Sequence, residues 1–182
     1  MVKTIARLND FLQSVGITEP SLLNFGLSDG HSVVCTRYVS SKTDEAASLY
    51  FSSGTRFHEY RPGGFYRMER HDKGQDLVLI ASEPLTFERG DWVTVPTNSI
   101  LSINKQTVLI HPIVDKYYQP DPSFSRSAAF VESKGMASTG PDKAVTMKEG
   151  AMQTGKPWPG AAVIRSESAS SISSDVSVME GD

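Results

Sequence analysis

The sequence predicts an α+β fold: one helix, then a mostly antiparallel meander of strands, then a disordered tail. Three observations carry that expectation. An apolar stripe of helical period occupies the first sixteen residues, short alternating runs divided by turn signals fill Leu22 to Ile113, and beyond Tyr118 the periodicity is lost.

In "TIARLNDFLQSVG" the residues Ile5, Leu8, Phe11, Leu12 and Val15 lie along one helical face. Gly16 suits the left-handed position that ends a helix, and Pro20 forbids continuation. The period then changes to two. "SLLNFGLSDGHSVVCTRYVSS" reads as strand, tight turn, strand, with Leu23, Phe25 and Leu27 alternating and Asp29-Gly30 supplying the turn. "ASLYFSSGTRF" (47–57) predicts a third strand ending at Gly54, and "RPGG" (61–64) a turn before the alternating "FYRMER". "LVLIA" is continuously apolar, as expected of a strand covered on both faces, and is expected to be central. "DWVTVP", "SILSI" and "TVLIHPI" complete the meander, separated by turns at Pro96–Asn98 and Asn104-Lys105. Asp121 to Asp182 holds twelve serines and three aromatics, too little apolar surface to offset the ordering of its backbone, so 119–182 is expected to be a disordered, Ser-rich tail.

Composition removes several function classes. A net charge of -3, with no Lys/Arg cluster interleaved with aromatics, argues against nucleic acid as a partner. The longest apolar run, Leu77 to Ala81, is far shorter than the roughly 20 residues of a membrane span. The N-terminus lacks a signal-peptide apolar core, so a cytoplasmic protein without a membrane partner is expected. The single cysteine, Cys35, excludes an internal disulfide and a cysteine-based zinc cluster, and His31, His58, His71 and His111 are scattered, so no metal site is expected.

Few residues suggest chemistry. Cys35 lies inside a strand, where a free cysteine is usually a small buried hydrophobe; Arg37, two residues on and facing the same way, is a mild argument for activation. Ser82-Glu83-Pro84 ends "LVLIA", and the proline forces the chain out of the sheet there, leaving a hydroxyl and a carboxylate at a strand mouth. "RGD" (89–91) is most simply a turn, "TRY" (36–38) offers polar groups without a constellation, and "GKPWPG" (155–160) has the form of a short docking motif. Neither a G-x-S-x-G elbow nor a P-loop nor a dinucleotide fingerprint is present.

The succession "LLNFGLSDGHSVVCTRYVSS", "AASLYFSSGTRF", "YRMERHDKGQDLVLIASEPLTFERGDWVTVPTNSIL" and "VLIHPI" resembles the second half of a class II glutamine amidotransferase domain. More narrowly it is similar to the amidotransferase-like subunit of the fungal glutathione-degrading complex. The resemblance implies the C-terminal half of a four-layer α-β-β-α N-terminal-nucleophile fold over residues 1–118, no cofactor, and a metallopeptidase-like partner subunit in the cytosol. In that family the nucleophile is an N-terminal cysteine whose own α-amine, titrating near neutral pH, acts as general base, and an Asn-Gly pair supplies oxyanion donors. This sequence opens Met1-Val2 and matches none of those positions, so no catalytic residue is assigned. Ser82 and Glu83 alone carry over, as substrate-pocket lining.

The function expected from the resemblance is that of a γ-glutamyl amide or peptide hydrolase in glutathione catabolism, with this chain as its noncatalytic half, either because the reading frame begins upstream, the favoured expectation, or because this is a truncated copy. A catalytically inactive interaction subunit that binds the metallopeptidase-like partner is the alternative. Cys35 as a true thiol nucleophile is a third expectation.

Overall fold

The computed structural model describes residues 1–71, 77–105, 107–121 and 123–139, together with the backbone of 162–164. In chain order the elements are α1 (Val2–Ser14), β1 (Gly26–Ser28), β2 (Ser32–Arg37), β3 (Tyr50–Gly54), β4 (Arg56–Arg61), β5 (Phe65–Glu69), β6 (Leu77–Ala81), β7 (Val93–Thr94), β8 (Ser99–Asn104), β9 (Thr107–Pro112), α2 (Ala129–Ser133) and β10 (Ala162–Ile164), with a 3-10 turn at Arg89–Asp91 before β7. The class is α+β, with few helices and antiparallel strand pairs, as the sequence predicts.

Pairing follows two rules. Neighbours joined by tight turns form hairpins: β1 with β2, β4 with β5, β8 with β9. The first turn forms because Gly30 takes φ +87 and the Asp29 carboxylate accepts from the backbone amides of His31 and Ser32 at 2.9 and 2.7 Å. The other pairs are long-range: β2 joins β8, and β3 lies between β6 and β7. The sheets therefore run β1-β2-β8-β9-β10 and β6-β3-β7, with β4-β5 as a separate ribbon, so the expected consecutive meander is replaced by crossovers.

Alternation on the strands stacks these sheets. Cys35, Phe51, Leu101, Ile103, Val108 and Ile110 interlock in one buried cluster between the five-stranded and three-stranded sheets, joined by Val78, Ile80 and Val93. Ile100, adjacent to Leu101 and so on the opposite face, packs with Ile5 of α1, Tyr38 and Ile113 in a second cluster. The order is helix, sheet, sheet.

Four expectations need correction. β6 is an edge strand and β3 the central one; Val78 and Ile80 pack against the large core and Leu77 and Leu79 point to the other face, and all four are only half-buried. The third strand ends at Gly54 as expected but begins only at Tyr50, and at Thr55 the chain turns into the separate β4-β5 ribbon, Met68 and the Glu69 carbonyl closing tightly over Gly54. The helix stops as expected, with Gly16 at φ +77, but only Ile5 and Asn9 of α1 are buried, while Phe11 and Val15 are exposed. The anchoring of α1 by one fully buried apolar side chain is worth about 1.5–3 kcal/mol.

The fourth concerns the tail. Residues 123–139 pack against the loop 41–48: Val131 is fully buried, and Arg126 donates to the carbonyls of Ser41, Asp44 and Tyr117 at 2.7, 3.0 and 3.1 Å. Ordered structure thus runs past residue 118, held largely by polar contacts that apolar content does not register. Further on, the backbone of β10 pairs with β9. The "GKPWPG" stretch lies outside the described residues. No described helix is long and apolar enough to cross a membrane.

Candidate functional site

The last residues of β2, β6 and β7 and the first of β3 converge at one end of the sandwich. Ser82 and Glu83 are the first residues beyond β6, and both are exposed. The Ser82 carbonyl accepts the Ser48 hydroxyl at 2.6 Å, which fixes where the chain leaves the sheet. Tyr50, paired to Ala81 on one side and Thr94 on the other, lies beside them. Burial raises its hydroxyl above the ordinary value; Arg37 and Arg89 oppose that rise, and Glu45 and Glu83 add to it. The mouth therefore brings Glu83 and Arg89 within electrostatic reach of Tyr50.

Behind the mouth is a buried ion pair. Arg37 and Glu45 have fully buried side chains, with Nη2 to Oε1 at 2.6 Å. Arg37 also donates from Nη1 to the Val95 carbonyl (2.7 Å), from Nε to the Ala47 carbonyl (3.0 Å), and from Nη2 to the Ala46 carbonyl (3.0 Å) and the Thr139 hydroxyl (3.1 Å). The planar fork thus ties the end of β2 to the loop before β3, the residue after β7 and Thr139. Glu45 Oε1 accepts in addition from the Thr139 amide at 2.8 Å and from its hydroxyl, while Oε2 is buried without a hydrogen-bond partner among the described residues.

Both neighbours of Arg37 are also completely buried polar residues. Thr36 donates its hydroxyl to the Leu23 carbonyl at 2.8 Å and accepts the Phe25 amide at 3.0 Å. Tyr38 accepts from Asn9 Nδ2 at 2.7 Å and donates to Asp115 at 2.6 Å, fastening α1 to the segment after β9. The stretch "TRY" is therefore a hub of buried hydrogen bonds. Its signal was legible as three polar residues interrupting "VVC" and "V" inside a strand, where burial demands partners.

The remaining candidates resolve as packing. Cys35 is buried in the large core, and desolvation pushes its thiol up, while the guanidinium of Arg37 is engaged elsewhere. "RGD" is the 3-10 turn, with Asp91 ion-paired to Arg70, which also donates to the Asp91 carbonyl at 2.8 Å. Among the described residues no group of three or more His, Cys, Asp or Glu is placed to hold a metal. A groove of about 220 Å³ opens between α1 and the loops at Ile17–Ser21, Ser40 and Lys116-Tyr117. Ser82 and Glu83 are not among its lining residues.

A helix laid on a two-sheet sandwich, with strand ends meeting over a buried arginine–carboxylate pair, defines an α+β unit. Over 140 residues, 75% of the chain, it is 56% identical to the protein named "Probable glutamine amidotransferase DUG3" of Saccharomyces cerevisiae. The match covers 39% of that protein, so the chain spans about two fifths of the curated relative it matches. No protein-family model matches the chain, and no solved structure matches it. The expected resemblance to glutamine amidotransferases is borne out for that part of the relative's length.

Proposed function

We propose that these residues form the noncatalytic part of a glutamine amidotransferase-type γ-glutamyl hydrolase acting in glutathione breakdown in the cytoplasm. The observation that carries the reading is the 56% identity to a protein named as a probable glutamine amidotransferase. Cys35 supports the noncatalytic role, because a thiol held protonated inside an apolar core is a poor nucleophile. In this reading Ser82 and Glu83, at the sandwich mouth, form one wall of the pocket for the γ-glutamyl substrate. Attack on the amide and oxyanion stabilisation come from elsewhere in the assembled enzyme, and a metallopeptidase-like subunit is its partner.

The test is hydrolysis of glutamine and of γ-glutamyl dipeptides by residues 1–182 alone. No turnover is expected. Turnover that disappears in a Cys35→Ser variant would overturn the noncatalytic assignment. For the pocket wall, Glu83→Gln in an active full-length relative should change KM for the γ-glutamyl substrate by several-fold; an unchanged KM removes Glu83 from the site.

A further inference from the structure

The β4-β5 ribbon stands apart from both sheets and carries an unusual outer face. Cross-strand pairing places Arg56 opposite Glu69 and His58 opposite Arg67, and after an irregularity at Tyr60 it places Arg61 opposite Phe65. These side chains share one face of the ribbon. The Arg61 guanidinium lies 5.0 Å from the Phe65 ring centroid and that of Arg67 lies 4.8 Å from the ring of Tyr60. Tyr60 meets Phe65 edge-on at 6.4 Å, and Phe65 meets Phe87, itself three-quarters exposed, at 5.3 Å. Arg56, Arg61 and Arg67 are all exposed.

Among the described residues Arg70 is paired with Asp91 and Arg37 with Glu45, but no carboxylate pairs with Arg56, Arg61 or Arg67. A guanidinium stacked on a ring uses its face and leaves its N–H edge outward, in the geometry that grips a carboxylate with two hydrogen bonds. The surface therefore offers two ring-stacked carboxylate forks, Arg61 and Arg67, without a carboxylate partner among the described residues.

A complementary segment exists in the same chain. From Ser166 to Asp182 there are four acids (Glu167, Asp175, Glu180 and Asp182), no Lys or Arg, and four large apolar residues, Ile172 before Asp175 and Val176, Val178 and Met179 between Asp175 and Glu180. The segment begins just beyond β10, whose backbone is fixed against β9. Seventeen extended residues reach about 55–60 Å, well beyond the roughly 30–40 Å breadth of a domain this size. We propose that residues 166–182 dock on the arginine-aromatic face of the β4-β5 ribbon, carboxylates on Arg61 and Arg67 and apolar side chains on Tyr60, Phe65 and Phe87.

The experiment uses the whole chain with a nitroxide at Ser177→Cys, Cys35 remaining unlabelled in the core, and reads the backbone amide signals of Phe57–Glu69. At low salt these signals broaden, and they recover in about 0.5 M NaCl, where the Debye length is only a few ångströms. They also recover in an Arg61→Gln/Arg67→Gln variant, whose exposed substitutions leave the fold intact. Unaffected ribbon signals at low salt, or broadening that persists in the double variant, overturns the proposal. Broadening seen only when labelled and isotope-enriched chains are mixed means that a second copy supplies the segment, which overturns docking within the chain. As a second measurement, replacing all four acids by their amides should speed hydrogen exchange across the ribbon by about threefold or more, because a ribbon without its covering segment opens more readily; equal exchange rates also overturn it.

Discussion

Replacing Arg37 by Met tests the interior most directly. The substitution preserves apolar length but removes the charge beneath Glu45 and the donors to the Ala46, Ala47 and Val95 carbonyls. Both partners have fully buried side chains, so solvent does not screen the pair. Breaking a buried pair from one side costs about 3–5 kcal/mol, because the surviving charge is stranded. The Arg70–Asp91 pair is the internal control: with Arg70 38% exposed, Arg70→Met should cost only ~0–1 kcal/mol. Urea unfolding separates the two, since at about 1–3 kcal/mol per molar the Arg37 variant should lose roughly 1–5 M of midpoint with an unchanged slope. In Arg37→Met/Glu45→Leu no charge is stranded, so about half or more of the loss should return. An Arg37→Met shift no larger than that of the surface control would refute the account of the pair as the fastening of the sandwich mouth.

Three further outcomes are expected. Tyr38→Phe removes the hydroxyl shared by Asn9 and Asp115, and should lower stability by about 1–3 kcal/mol in the same assay. Gly54→Ala would overlap Met68 Sδ and set a Cβ 2.5 Å from the Glu69 carbonyl oxygen; a cost of about 1–3 kcal/mol, together with faster hydrogen exchange across β4-β5, is expected. Burial raises the Cys35 thiol above 9.0 and the Tyr38 and Tyr50 hydroxyls above 10.0. These groups hold their protons more tightly folded than unfolded, so their contribution is complete below those ordinary values and is lost as pH rises through the raised native ones. Melting temperature should therefore fall from about pH 9 upward, and Cys35→Ala should delay the onset to about pH 10; a flat profile between pH 8 and 11 would count against the burial of all three.

Legibility followed the physics of each element. The Asp29-Gly30 turn could be read from two letters, since few residue pairs satisfy both its backbone and its hydrogen bonds, and the structure shows both. The β8-β9 hairpin was equally plain, with Lys105 at φ 53 at the turn expected for Asn104-Lys105. The partner of β3 was not, because a run such as "LVLIA" reports apolar content but not which side of a sheet lies open. The stretch 123–139 escaped notice because Arg126, Glu45 and Thr139 hold it through hydrogen bonds that look like surface polarity in a string of letters. Ser82 and Glu83 were legible as a break in a strand, and the structure places that break at the mouth. Tyr50 and Arg89 joined them only through pairings and turns distant in sequence.

The clasp between Thr139 and Glu45 changes where the molecule can safely be cut. A boundary at 118, natural from hydropathy, would strip Arg126 from three carbonyls and Thr139 from a carboxylate already short of donors on its other oxygen. A unit that keeps these contacts extends at least to residue 139, so a protease digest should leave a resistant fragment that includes that threonine.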